Sequence, residues 1–170
     1  MSALVWSSRA PKPTFANVDR TLKEHSFAAG LTNSQVARLS ALACEVGFKE
    51  DELILLARQQ SKFFYLLLSG SVSIEVGTRS YTLGIQVLGP GEAFGWSALL
   101  DHHDTLFQVR AREQSKALCL DGSKLSVALQ DDPVLASELL RRTLKLVAGR
   151  VQATEAKLGE LCGIRMRKDT

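Results

Sequence analysis

Between residues 46 and 121 the chain alternates apolar and polar residues with period two, in runs too short for anything but a layered or closed β structure. Val72, Ile74 and Val76 alternate with Ser71, Ser73 and Glu75. Tyr81, Leu83, Ile85 and Val87 alternate with Thr82, Gly84, Gln86 and Leu88. Upstream of both, the unbroken run FFYLLL at 63–68 reads as a strand buried on two faces. Turns are expected at Ser69-Gly70, Gly77-Thr78 and Pro90-Gly91, because Pro presets φ for the first turn position and Gly accepts the positive φ of the second. Strands at this spacing predict a sandwich or small barrel.

Helical periodicity brackets this block. Thr32 and Gln35 have capping-box spacing, so a helix is expected to start there, with Val36, Leu39, Leu42 and Ala43 on one face. A short helix is expected over 123–130. Asp132-Pro133 then supplies an N-cap followed by Pro at the first helical position. From there one long helix is expected to reach about Cys162, some 45 Å at ~1.5 Å per residue. Leu140, Leu144, Val147, Val151, Thr154, Leu158 and Leu161 step along it by fours and threes, a heptad seam. One small β domain cannot cover that length, so the seam is expected to meet its copy in a parallel homodimer, the alternative being packing back onto the barrel. The organisation read from these signals is an N-terminal arm over 1–18 carrying Pro11 and Pro13, a β domain over 19–132, the long helix over 133–162 and a basic tail over 163–170.

Charge and composition exclude several classes. Residues 134–170 hold eight Lys/Arg against four Asp/Glu, while the rest of the chain is close to neutral, which is modest beside the basic stripe of a nucleic-acid binder. No apolar run reaches the ~18 residues of a membrane span, and the first residues lack the pattern of a secretory signal, so a cytoplasmic protein is expected. Cys44, Cys119 and Cys162 are widely spaced and read as buried structural thiols. His102-His103-Asp104 invites a metal, but a site needs three or four convergent ligands. The stretch reads as an exposed polar loop; no metal is expected and no haem motif is present. Neither a P-loop nor a nucleophile–base pair in a known motif occurs, so no enzyme is expected.

The order of these elements, with FFYLLLSGSVSIEV, LGPGEAFGWSALL and RVQATEAKLGEL as its most telling stretches, resembles the cyclic-nucleotide-binding domain of the bacterial catabolite activator/FNR regulators. The resemblance spans roughly residues 20–162. It implies an α+β fold: an antiparallel β-roll, jelly-roll-like, flanked by N-terminal helices and a long C-terminal dimerisation helix. It also implies a phosphate-binding cassette near residues 91–111, with Gly95, Trp96, Ser97, Ala98, Thr105 and Leu106 at its ligand positions. Thr154 stands where the dimer helix meets the purine and is a candidate contact from the neighbouring subunit.

The cassette departs from the family pattern. Trp96 stands where a Glu normally accepts the ribose hydroxyl, and Thr105 where an Arg normally pairs with the phosphate; Leu106 and Phe107 replace small residues. The Gly-Glu turn usual before the central strands is Ala57-Arg58-Gln59-Gln60-Ser61. Charge-assisted contacts are about twice as strong as neutral ones. Tight binding of cAMP or cGMP is therefore not expected, although a weak anion on the N–H groups of Ser97 and Ala98 is. Arg110 is a weak substitute, since alternation with Val109 puts it on the solvent face. Only GIRMRKDT follows the long helix, so no DNA-reading domain and no sequence-specific DNA binding are expected. Three readings stand: a sensory or regulatory protein with a degenerate site that signals to an unidentified effector through its dimer helix; a genuine cAMP/cGMP regulator with an altered cassette; and a ligand-free interaction module.

Overall fold

A computed structural model describes residues 17–78, 80–100 and 104–163. The N-terminal arm up to residue 16, His102 and His103, and the basic tail from 164 lie outside the described residues. Helix α1 covers Val18–Glu24 and is followed by a 3₁₀ turn over Ser26–Ala28. Helix α2, Asn33–Ser40, starts with the expected capping box: the Thr32 hydroxyl accepts from the Gln35 N–H and the Gln35 amide oxygen accepts from the Thr32 N–H. It is shorter than the apolar pattern suggested. Leu42 lies beyond its end, and Ala43 already opens β1, because the Ala41 N–H closes the last turn.

Eight strands follow, β1 Ala43–Phe48, β2 Leu53–Leu55, β3 Phe63–Ser69, β4 Val72–Gly77, β5 Thr82–Leu88, β6 Ala93–Phe94, β7 Phe107–Ala111 and β8 Ser115–Asp121. They form two antiparallel four-stranded sheets, in the orders β1-β8-β3-β6 and β2-β7-β4-β5. Helices α3, Gly122–Gln130, and α4, Pro133–Leu161, complete the chain, giving a β-roll flanked by helices. The Asp132 carboxylate caps α4, accepting from the Leu135 N–H at 3.0 Å.

The apolar run at 63–68 is buried on both sides because β3 is central in its sheet and that sheet is covered on both faces. Phe64, Leu66, Leu118 and Leu120 face the helices, packing with Leu22, Val36, Leu125, Leu135 and Leu139. Tyr65, Leu67, Ala117 and Cys119 face the second sheet and meet Phe48, Ile74, Phe94 and Val109. Tyr65 stacks on Phe94 with ring centroids 4.8 Å apart. Cys44 and Cys119 face each other across β1 and β8 with their sulfurs 2.7 Å apart, a proximity their spacing in the chain does not reveal. Cys162 is not buried: it caps α4 in solvent.

The alternation in β5 differs from its expected phase. Val72 pairs with Leu88 and Ile74 with Gln86, but Glu75 pairs with Gly84, so Ile85 is an extra residue, a β-bulge. Partners directly opposite share a face. Leu88 and Gln86 therefore turn toward the interior beside Val72 and Ile74, and Val87 turns out beside Ser73. Tyr81 lies before the strand and is exposed. On the outer face of this sheet Ser73 and Glu75 are nonetheless buried, in a cluster where Ser73, Gln108 and Arg110 all donate to the Glu75 carboxylate.

Candidate functional site

The cassette is built by backbone conformation first. Gly91 has φ +89° and turns the chain after Pro90 into β6. Gly95 has φ +78°, and a Cβ there would sit 2.5 Å from the Phe63 carbonyl oxygen, so only glycine lets the loop press against β3. A single 3₁₀ turn, Trp96–Leu99, follows, with Leu100 already extended. Its other flank is Gly122 at the start of α3, where a Cβ would meet the Ala98 carbonyl oxygen at 2.3 Å. The loop is thus clamped between β3 and α3.

Ala57–Ser61 holds the turn from below in place of a Gly-Glu pair. Arg58 takes positive φ (61°) and donates its N–H to the Thr105 carbonyl. The Gln60 amide donates to the carbonyls of Ser97 and Leu100, and the Ser61 N–H donates to the Ser97 hydroxyl at 3.1 Å. These bonds occupy groups that a ligand would otherwise use. Ser97 is buried with its hydroxyl engaged, and the Ala98 N–H donates to the Gly95 carbonyl at 3.0 Å, which removes one of the two amides expected to hold an anion. The Thr105 hydroxyl accepts from the Phe107 N–H at 3.1 Å and so shapes its own loop. Leu106 points to solvent and does not line the cassette.

What remains of the pocket is a void of about 30 Å³, walled by Leu55, Ile74, Phe94, Trp96, Phe107 and Val109. At roughly 10–15 Å³ per water it has room for about two waters, against the ~300 Å³ and upward of ordinary ligand pockets. Arg110 stays on the outer face, as alternation predicted, donating to Glu75 at 3.3 Å and to the Asp51 carbonyl at 2.9 Å. Thr154 donates back to the Arg150 carbonyl at 2.8 Å, within its own helix. Of the His102-His103-Asp104 stretch only Asp104 is described; it is exposed, and no group of metal-ligating side chains occurs among the described residues.

The cation at this site is one that the sequence reading did not name. Arg150, on α4, is only 7% exposed and its side chain lines the cassette remnant. It donates to the amide oxygen of Gln86, the residue turned inward by the β5 bulge. Among the described residues no carboxylate lies within ion-pair distance of it. Burial lowers its pKa, and the field of Glu92 partly restores it. A signal existed: Leu135, Leu139, Arg142, Leu146 and Arg150 form a second stripe of fours and threes, about a third of a turn round the helix from the seam. Gln86 carried no such signal, since alternation placed it facing out.

The cyclic nucleotide-binding domain family model matches residues 45–132, from β1 to the start of α4. The chain belongs to this family. A cyclic nucleotide-binding domain of Methylobacillus flagellatus is similar in structure, with a TM-score of 0.71 at 17% identity over 91% of this chain and 86% of that one. The catabolite activator protein of Thermus thermophilus has a TM-score of 0.63 at 22% identity, over 81% of this chain and 63% of that one. The regulatory subunit of a cAMP-independent protein kinase A from Trypanosoma brucei has a TM-score of 0.64 at 19% identity, over 84% of this chain and 49% of that one. These likenesses are of fold. In sequence the chain is 26% identical over 145 residues to a provisionally named potassium channel protein of Rhodopseudomonas palustris, covering 85% of this chain but only 31% of that relative. It is thus a cyclic nucleotide-binding domain whose neighbours include regulatory proteins, and no helix among the described residues is long and apolar enough to cross a membrane.

Proposed function

We propose that this domain is a homodimeric regulatory module of the cytoplasm whose cassette no longer holds a cyclic nucleotide tightly, and that it passes its signal to a protein effector along α4. The observation that carries this is the closed cassette: about 30 Å³ remain where a nucleotide would sit, and Trp96 and Phe107 wall it. The acceptor and cation of the family pattern are Trp96 and Thr105, and the Thr105 hydroxyl is engaged within its own loop. Dimerisation is supported by the seam. Leu140, Leu144, Val151, Leu158 and Leu161 are all at least half exposed on one face of α4, with Val147 and Thr154 half-buried between them. Catalysis and sequence-specific DNA binding are not part of this reading.

A genuine cyclic-nucleotide regulator is the second reading, favoured by the buried Arg150 guanidinium at the cassette wall. Calorimetry with cAMP and cGMP on the wild type and on Trp96→Glu/Thr105→Arg separates the two. We expect millimolar or no binding in the first and a gain of at least about tenfold in the second, since each restored charge-assisted contact is worth over ~1.4 kcal/mol. Micromolar binding by the wild type would establish the second reading instead.

A further inference from the structure

A hollow far larger than the cassette remnant lies on the other side of Arg150. It measures about 480 Å³ and is bounded by α4, the Ser26–Ala28 turn, the end of β5 and the Gly91–Ala93 segment. Its size is that of an ordinary small-molecule site. Four cations, Arg141, Arg142, Lys145 and Arg150, line it against one carboxylate, Glu92. Two of these charges are already used. Arg142 donates to the carbonyls of Phe27 and Ala29 and, at 3.2 Å, to Glu138, which fastens α4 to the turn and makes the wall; Glu138 also pairs with Arg141 at 2.9 Å. Glu92 is bound to the Gly89 N–H at 2.8 Å.

Arg150 is the group left over. A buried guanidinium whose partner is a neutral amide keeps most of its desolvation cost. It faces two spaces. The cassette side is nearly closed and chiefly apolar, whereas the cleft side is open, roomy and cationic. We infer that this cleft is an anion site that takes a small soluble phosphate monoester, with Arg150 as its inner anchor, Lys145 at its rim and Phe27 and Leu146 as walls for the organic group. Its rim residue Lys145 is exposed and lies on the helix face away from the seam, whereas Arg150 lies beneath the flank that carries Val147 and Thr154. The site shares Arg150 with the cassette wall and so rests on the reading in which the closed cassette makes no use of that guanidinium.

Titration of the full chain with inorganic phosphate and with adenosine 5′-monophosphate, followed by calorimetry and by thermal shift, tests the site. Both probes should bind, the ester more tightly. Lys145→Glu, an exposed change that leaves the fold intact, should weaken both by at least about tenfold, and Arg150→Gln should abolish binding. Arg20→Gln, which removes an exposed cation outside the cleft, should change nothing. No binding at millimolar phosphate or ester overturns the site, and so does an affinity that Lys145→Glu leaves as it was. Binding that Arg20→Gln weakens as much as Lys145→Glu also overturns it, since net charge alone would then be the cause. Loss of binding in Trp96→Glu but not in Lys145→Glu would move the ligand to the cassette and sink the inference.

Discussion

His25 shows how one residue can tie the N-terminal segment to the roll. It is buried; its Nε2–H donates to the Leu67 carbonyl at 3.1 Å, and its Nδ1 accepts from the Phe27 N–H at 3.1 Å. The second bond requires the neutral ring, since a protonated Nδ1 could no longer accept. Burial lowers its pKa, against the smaller opposing effect of the Leu67 carbonyl. The unfolded chain therefore takes up the proton first, near the ordinary value of 6.5, and stability falls as pH drops from there through the depressed folded value. Thermal unfolding from pH 8 to pH 5 should show a midpoint that declines below about 6.5, and His25→Gln should flatten that decline. A wild-type midpoint that rises on acidification would contradict this assignment. Trp96 acts on a similar scale, since this one side chain stands where an acceptor is expected and walls the space a ribose would fill.

Among the elements, α4 carries two stripes with different work. Leu135, Leu139, Arg142, Leu146 and Arg150 hold the roll, and the seam from Leu140 to Leu161 faces solvent. Val151→Asp and Leu144→Asp place charges on the exposed stripe only. Each should convert the dimer to monomer in sedimentation while costing a monomer no more than about 0.5 kcal/mol, the usual range for surface changes. A wild type that sediments as a monomer at micromolar concentration would refute the dimer. The sequence carried much of this element: the Asp132 cap, Pro133, the helix length and the seam are all local signals. It carried the roll through the doubly apolar run of β3 and its turn glycines. It did not carry the β5 phase, because a bulge is specified by pairing with β4 and not by β5 alone. Nor did it show that the Ser97 hydroxyl and the Ala98 N–H are engaged, because their partners include Ser61, which is 36 residues away in the chain.

For the molecule as a whole, Arg150 is the last residue of α4 whose side chain bonds to the roll among the described residues. Beyond it the side-chain bonds among the described residues stay within the helix, from Thr154 to the Arg150 carbonyl and from Lys157 to Glu160. A helix end with few bonds to the rest of a fold opens easily. Amide exchange over 152–161 should thus be fast in dilute protein and slow down as concentration rises, with the thermal midpoint climbing in parallel by mass action. Exchange that is equally slow at all concentrations would show that the end is held within one chain.

The bulge at Ile85 has a genetic side. Hairpin tips usually tolerate the gain or loss of a codon, because only solvent-facing positions change. Here loss of Val87, with Leu88 kept opposite Val72, would absorb the bulge and set Ile85 opposite Ile74 and Gln86 opposite Ser73. Gln86 would then leave the interior, and the Arg150 guanidinium would lose its acceptor without any change on α4. A single codon in a surface strand therefore sets the polarity of a chamber beneath a helix more than sixty positions downstream, so length variation here would act as a change of chemistry.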